Sequence, residues 1–206
     1  MNQPLRFGIL GTGNIARQFA QGVAGAKRSA VVCVASRSQD KADAFAGAHT
    51  IDRAYGRYQS LLEDENIDAV YVSLPNSMHH EWTIKALKAG KHVLCEKPLA
   101  SNAKQAVEMF DTATSCDRLL VEAFMYRSHP QTHAIIQKIK QGAIGRVLLV
   151  RTSFCYCTQR IADNIRFDAS LDGGALMDIG CYCIDFARLM IWLARRCNLN
   201  VEHWRV

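Results

Sequence analysis

The stretch that most limits what this chain can fold into is an apolar run ending in glycines, Leu5-Arg6-Phe7-Gly8-Ile9-Leu10-Gly11-Thr12-Gly13-Asn14-Ile15-Ala16. An apolar run that leads into G-x-G-x-x-A reads as strand, tight turn and helix in immediate succession. Gly11 supplies the turn, Gly13 lets a pyrophosphate approach the backbone, and Ala16 allows close packing of the helix. The loop Gly11, Thr12, Gly13, Asn14 and Ile15 then offers the N–H groups of a helix start to an anion. A glycine turn with only a structural task is the alternative reading. Context favours the anion site, because further apolar runs at 30–35, 69–74, 92–95 and 119–124 alternate with helix-period segments. Ile15, Phe19 and Val23 share one helical stripe, and so do Ala103, Ala106, Val107 and Phe110. Segment 77–89 reads as a helix stopped by Gly90.

Alternation of this kind predicts an α/β fold, with a parallel sheet covered by helices on both faces. The N-terminal part, 1–124, is therefore expected to be a Rossmann dinucleotide-binding domain. The end of its second strand bears on cofactor choice. A site selective for NAD usually places Asp or Glu there, about 20 residues past the glycines, to accept from the ribose 2′-hydroxyl. This chain has Ser36-Arg37-Ser38, with Lys41 one turn beyond. A hydroxyl and a guanidinium suit a 2′-phosphate, so NADP is expected in preference to NAD.

After Phe124 the rhythm changes. A helix is predicted from Pro130 to Gly142, then a β-like run VLLVRTSFCYC over 147–157, a loop over 158–174, and a final helix opened by Gly173-Gly174. The boundary falls near residue 125, leaving 125–206 as a partial domain for substrate or oligomer contacts. A single strand there lacks the partners a sheet needs.

Composition narrows the partners. The net charge of +6 is dispersed among acids, without the basic run of a nucleic-acid arm. Residues 175–194 are apolar but interrupted by Asp178, Asp185 and Arg188, which argues against a membrane span. The N-terminus enters its strand without a charged leader or apolar h-region, as a cytoplasmic protein would. Eight cysteines include no C-x-x-C pair, so free thiols are expected and no metal site.

Four motifs occur in order: the glycine loop at 8–16, Leu74-Pro75-Asn76-Ser77-Met78-His79, Glu96-Lys97-Pro98, and Gly173-Gly174-Ala175-Leu176-Met177-Asp178-Ile179-Gly180-Cys181-Tyr182. Together they resemble the glucose-fructose oxidoreductase/inositol dehydrogenase (Gfo/Idh/MocA) family. Glu122-Ala123-Phe124-Met125-Tyr126-Arg127 and Tyr182 make the chain most similar to its dihydrodiol dehydrogenase and NADP-dependent xylose dehydrogenase branch. The resemblance implies a Rossmann domain followed by an α+β domain on a largely antiparallel sheet. It also implies hydride transfer between a nicotinamide and a sugar or other secondary alcohol or diol.

The resemblance assigns Lys97, Asp178 and Tyr182 to catalysis, and Leu74, Pro75, Asn76, His79, Glu96 and Lys97 to the cofactor. Lys97 ends a parallel strand, where such sheets bind ligands, and Pro98 disfavours helical geometry for it. Asp178, Tyr182 and Asp185 share one face of a regular helix. A tyrosine is a poor base near neutrality unless an ammonium such as that of Lys97 favours its phenolate. Arg127 and Arg166 are candidates to meet substrate hydroxyls, and His80 is expected to face solvent.

Members of the family continue for well over a hundred residues past this helix. The sequence alone therefore leads one to expect a truncated or frame-altered enzyme, with disorder or association around 143–172, against a family-type homo-oligomer, and with doubtful activity. A dinucleotide sensor without catalysis and an inactive remnant are the competing readings; retention of Lys97, Asp178 and Tyr182 argues against the sensor.

Overall fold

A computed structural model describes residues 3–159, 161–162 and 164–196. Six parallel strands form one sheet: β1 (Leu5–Leu10), β2 (Ser29–Ala35), β3 (Arg53–Tyr55), β4 (Ala69–Val72), β5 (His92–Cys95) and β6 (Leu120–Glu122). Their order across the sheet is β3-β2-β1-β4-β5-β6. Parallel neighbours need crossovers. These are made by α1 (Asn14–Ala24), α2 (Gln39–His49), α3 (Tyr58–Leu62), α4 (His79–Lys88) and α5 (Ala103–Ser115).

The two-residue period of a strand sends alternate side chains to opposite faces, which is why continuous apolar runs serve here. Leu10, Val70 and Val72 pack with Leu61, Leu87 and Met109 on one face. Ile9, Val34 and Tyr71 pack with Ala16, Ala20 and Phe45 on the other. Burying each such Leu, Ile or Val contributes about 1.5–3 kcal/mol. Burial also pushes the thiols of Cys33 and Cys95 up to about 12, which leaves both protonated at neutral pH.

Three local expectations change. β3 has three residues, too few to show a period, and forms because Arg53–Tyr55 align with Cys33–Ala35. In α5 the buried residues are Met109 and Ala113, with Ala106 packed beside them, so Val107 and Phe110 are exposed. Packing selected the stripe one step round the helix from the predicted one. The predicted helix 77–89 starts as a 3-10 turn over Asn76–Met78, and α4 proper begins at His79.

The chain divides into two compact units. Unit 1 is Met1–Ala123 with Ala169–Asp172; unit 2 is Phe124–Asp168 with Gly173–Val206. In unit 2, α6 (Pro130–Lys140) carries proline at its first turn, and the His129 ring accepts from the Gln131 N–H at 3.2 Å. A π-helical turn, Leu176–Gly180, leads into α7 (Cys181–Arg196). Gly173 is required by close approach, since a Cβ would lie 2.6–2.8 Å from the carbonyl oxygens of Ile165, Arg166 and Asp168.

The predicted strand 147–157 does not form, and unit 2 has no strand among the described residues. An isolated segment has no ladder to join. Instead Val147 and Val150 pack on Ile139 and Met190, while Leu148 and Leu149 remain 66% and 74% exposed. Inward residues three apart are not strand alternation.

Candidate functional site

Sheet order reverses direction between β1 and β4, and the loops at the carboxyl ends of these strands border the crevice where such sheets bind ligands. The loop after β1 is fixed by the Gly11 N–H, which donates to Ala35 O at 2.9 Å and so sets it beside Ser36. Gly11 has φ +103°, and a Cβ there would sit 2.9 Å from Ser73 O; glycine is required on both counts. Over Gly13 a Cβ would meet nothing within 4 Å. Gly13 is the N-cap of α1, with no side chain capping it and no acid in the first turn. Room for a ligand and an uncapped helix start fit a pyrophosphate held by the Gly11–Ile15 backbone. Ser36 is buried at the end of β2 and Arg37 beside it is exposed; Lys41 projects from the exposed start of α2.

The loop after β5 is clamped on several sides. Glu96 is buried, and its carboxyl accepts from the Tyr71 hydroxyl at 2.5 Å and from the Lys97 N–H at 3.2 Å. Burial pushes the Glu96 pKa up, against the pull of Tyr71 and Lys97. The Glu122 carboxylate accepts from the Leu99 N–H at 2.8 Å. His79 closes the arrangement. It is 0% exposed, with Nδ1 at 2.8 Å from Pro98 O and Nε2 at 2.9 Å from Leu74 O. It therefore fills the space between the loop after β4 and the loop after β5, and the neutral ring, with its single N–H, donates to one of the two carbonyls. Burial pushes its pKa down; the two carbonyls, which accept from whichever nitrogen carries hydrogen, oppose that shift. His80, expected in solvent, is half-buried and pairs with Glu108 at 3.0 Å. Lys97 lies half-buried at the centre of this braced loop.

In unit 2, Asp178 sits in the π-helical turn and Tyr182 and Asp185 in α7, with Tyr126 in contact with the Tyr182 ring and hydrogen-bonded to Asp185. Asp178 accepts from the Tyr156 hydroxyl at 2.6 Å and from Arg166 Nε at 3.1 Å. Tyr182 sits edge-on between Phe124 and Phe154, with ring centroids 5.3 and 5.5 Å away. Asp185 accepts two hydrogen bonds from Arg127, at 2.8 and 2.6 Å, and one from the Tyr126 hydroxyl. Both arginines considered for substrate hydroxyls are thus engaged by carboxylates of their own unit.

Sequence reasoning missed Tyr71 and the loop contact of Glu122, whose partners lie 25 and 23 residues away. No periodicity reports such pairs. A basin of about 880 Å³ near the amino end of β1 lies at the opposite end of the sheet from the glycine loop. Its Arg6 is held bidentately by Asp68. Among the described residues, no cluster of His, Cys, Asp and Glu could hold a metal, and no helix is long and apolar enough to cross a membrane.

A 3-2-1-4-5-6 parallel sheet with an uncapped glycine loop defines the dinucleotide-binding Rossmann class. Residues 5–124 match the oxidoreductase family with an NAD-binding Rossmann fold, and residues 132–194 match the Gfo/Idh/MocA C-terminal domain. The chain belongs to the Gfo/Idh/MocA family. It is 40% identical over 187 residues to D-xylose 1-dehydrogenase (NADP(+)) 2 of Haloferax volcanii, which covers 91% of this chain and 57% of that enzyme. Trans-1,2-dihydrobenzene-1,2-diol dehydrogenase of Xenopus tropicalis is 37% identical over 90% of this chain and 56% of its own length. Among solved structures, the 3-ketoreductase KijD10 of Actinomadura kijaniata, in complex with NADP and TDP-benzene, superposes with TM-score 0.81. The two are 34% identical over 92% of this chain and 58% of KijD10. The chain thus spans somewhat over half the length of the relatives it matches.

Proposed function

We propose that this chain carries the cofactor half-site and catalytic residues of an NADP-dependent oxidoreductase acting on a CH–OH group of a sugar or related diol. The observation that carries this reading is Lys97, held at the carboxyl end of β5 by a loop that Glu96, Glu122 and His79 clamp through hydrogen bonds. Positioning a lysine so rigidly serves chemistry better than mere nucleotide binding, which the glycine loop supplies without it.

Gly11, Thr12, Gly13, Asn14 and Ile15 would hold the pyrophosphate; Ser36, Arg37 and Lys41 would receive the 2′-phosphate. Leu74, Pro75, Asn76 and Glu96 would border the nicotinamide end, with His79 contributing through the two loops it is buried between. When bound, the nicotinamide supplies the hydride acceptor or donor. Lys97 of unit 1 and Asp178 and Tyr182 of unit 2 would be the residues of catalysis, with Tyr182 as the group that would take the hydroxyl proton. The preference for NADP is supported by the absence of an acid at Ser36-Arg37-Ser38 and by the NADP named for the xylose dehydrogenase and KijD10. Residues 1–124 would be the dinucleotide-binding domain and 125–206 the part facing substrate. The test is NADPH formation from NADP across a panel of aldoses and trans-diols. Turnover with at least one member is expected; none across the panel refutes the reading.

A further inference from the structure

The short segment Ala169–Asp172 belongs to unit 1, although the chain on either side of it belongs to unit 2. Asp172 makes two hydrogen bonds that tie it down. Its backbone carbonyl accepts from Asn76 Nδ2 at 2.8 Å, and its carboxylate accepts from the Ser101 hydroxyl. Ser101 is itself fixed at the start of α5: its N–H donates to Gln105 Oε1 at 3.1 Å, next to the Asn102 cap. The strap therefore bridges the loop after β4 to the loop after β5, the pair between which His79 is buried.

The backbone shows that this aspartate is not a neutral filler. Asp172 has φ +56°, in the left-handed region, where a side chain costs about 1 kcal/mol and glycine costs little. Gly173 and Gly174 follow directly, so a third glycine would be the least strained choice for the turn. The carboxylate on Ser101 offsets that strain with a charge-assisted bond. Its consequence is directional. With Asn76 Nδ2 drawn to the strap, the amide oxygen is turned away from it, so the side chain presents one defined edge instead of rotating.

We infer that Asp172 is a positioning residue that latches the 169–172 strap over both loops and thereby fixes Asn76 for the cofactor, an inference that rests on the NADP reading above. A loop ordered before the ligand arrives loses less entropy on binding. Cofactor affinity, rather than the chemical step, is what the latch controls.

The experiment uses the whole 206-residue chain with Asp172→Gly, Asp172→Asn and Ser101→Ala. Asp172→Gly removes the latch without backbone strain, and Asp172→Asn keeps both an acceptor oxygen and tolerance of the left-handed conformation. Hydrogen exchange over 165–175 should quicken about tenfold in Asp172→Gly, the effect of losing one charge-assisted bond, and stay near wild type in Asp172→Asn. NADP, followed by fluorescence titration, should bind about tenfold more weakly to Asp172→Gly and to Ser101→Ala. The double variant Asp172→Gly with Ser101→Ala should bind no more weakly than either single one, because both cut the same link. A merely structural aspartate would leave affinity untouched, since glycine suits the turn. Wild-type NADP affinity in Asp172→Gly, or unchanged exchange, overturns the inference. If the wild type binds no NADP, the cofactor reading fails on its own, and the exchange comparison still upholds or sinks the latch.

Discussion

Unit 1 and unit 2 are held together by different physics. In unit 1, Ile9, Leu10, Val34, Val70 and Val72 are 0% exposed, and helices cover both faces of the sheet. In unit 2, Ile139 and Met190 are the buried apolar side chains among the described residues, while Ile144, Leu148, Leu149, Phe154 and Leu176 are exposed. Order there comes from carboxylates, with Asp185 on Arg127 and Tyr126 and Asp178 on Arg166 and Tyr156. Hydrogen bonds fix geometry well but contribute about 0.5–1.5 kcal/mol each, less than a buried Leu or Ile. The contrast teaches that unit 1 is organised by mutually satisfied apolar faces, while unit 2 is organised around hydrogen-bonded carboxylates.

The largest effect expected from breaking this contrast is on turnover. Lys97→Ala in unit 1 and Tyr182→Phe in unit 2 should each lower kcat by about 10²–10⁴, as for lost acid–base function. Tyr182→Phe should leave NADP affinity unchanged, because the cofactor groups proposed here belong to unit 1. Near-normal kcat in either variant removes that residue from the reaction.

Stability should separate the units next. Leu10→Ala ought to cost about 2–5 kcal/mol in urea unfolding, whereas Leu149→Ala should change it by less than about 0.5 kcal/mol. Equal costs would mean that Leu149 is covered in solution. A smaller shift concerns selectivity: Arg37→Asp should weaken NADP by about ten- to a hundredfold, the value of a charge-assisted contact, and improve NAD. Unaltered preference in paired titrations would discard Arg37.

The smallest effect is the pH response of His79. Its folded pKa is lowered by burial, so below the unfolded value of about 6.5 the unfolded chain binds more protons than the folded one. This contribution to stability is present at neutral pH and lost as pH falls from about 6.5 towards the folded pKa. Carboxylates also titrate in acid, so the informative quantity is the difference from His79→Gln. Wild type should lose more thermal stability than His79→Gln between neutral pH and the lower end of this window. Parallel profiles would show that His79 does not change its proton count there.

What could be read from the residues follows from the range of the forces involved. β1 and its glycine loop, the alternation of strands and helices, and the proline start of α6 are local: propensity, period and steric need all act within a few residues. The sequence by itself determined the α/β class, the glycine loop at Gly11–Ile15, the lack of an acid at Ser36-Arg37 and the placement of Lys97 at a strand end. Tertiary structure alone decided the rest. The buried face of α5, the irregular path of 147–157 and the π turn at Asp178 were settled by what each segment could pack or pair with. His79 lies buried between the Leu74 and Pro98 carbonyls, and Asp172 meets Ser101 across 71 residues of chain. Burial and distant hydrogen bonds depend on partners that no local window contains, and for that reason they emerge only when the chain has folded.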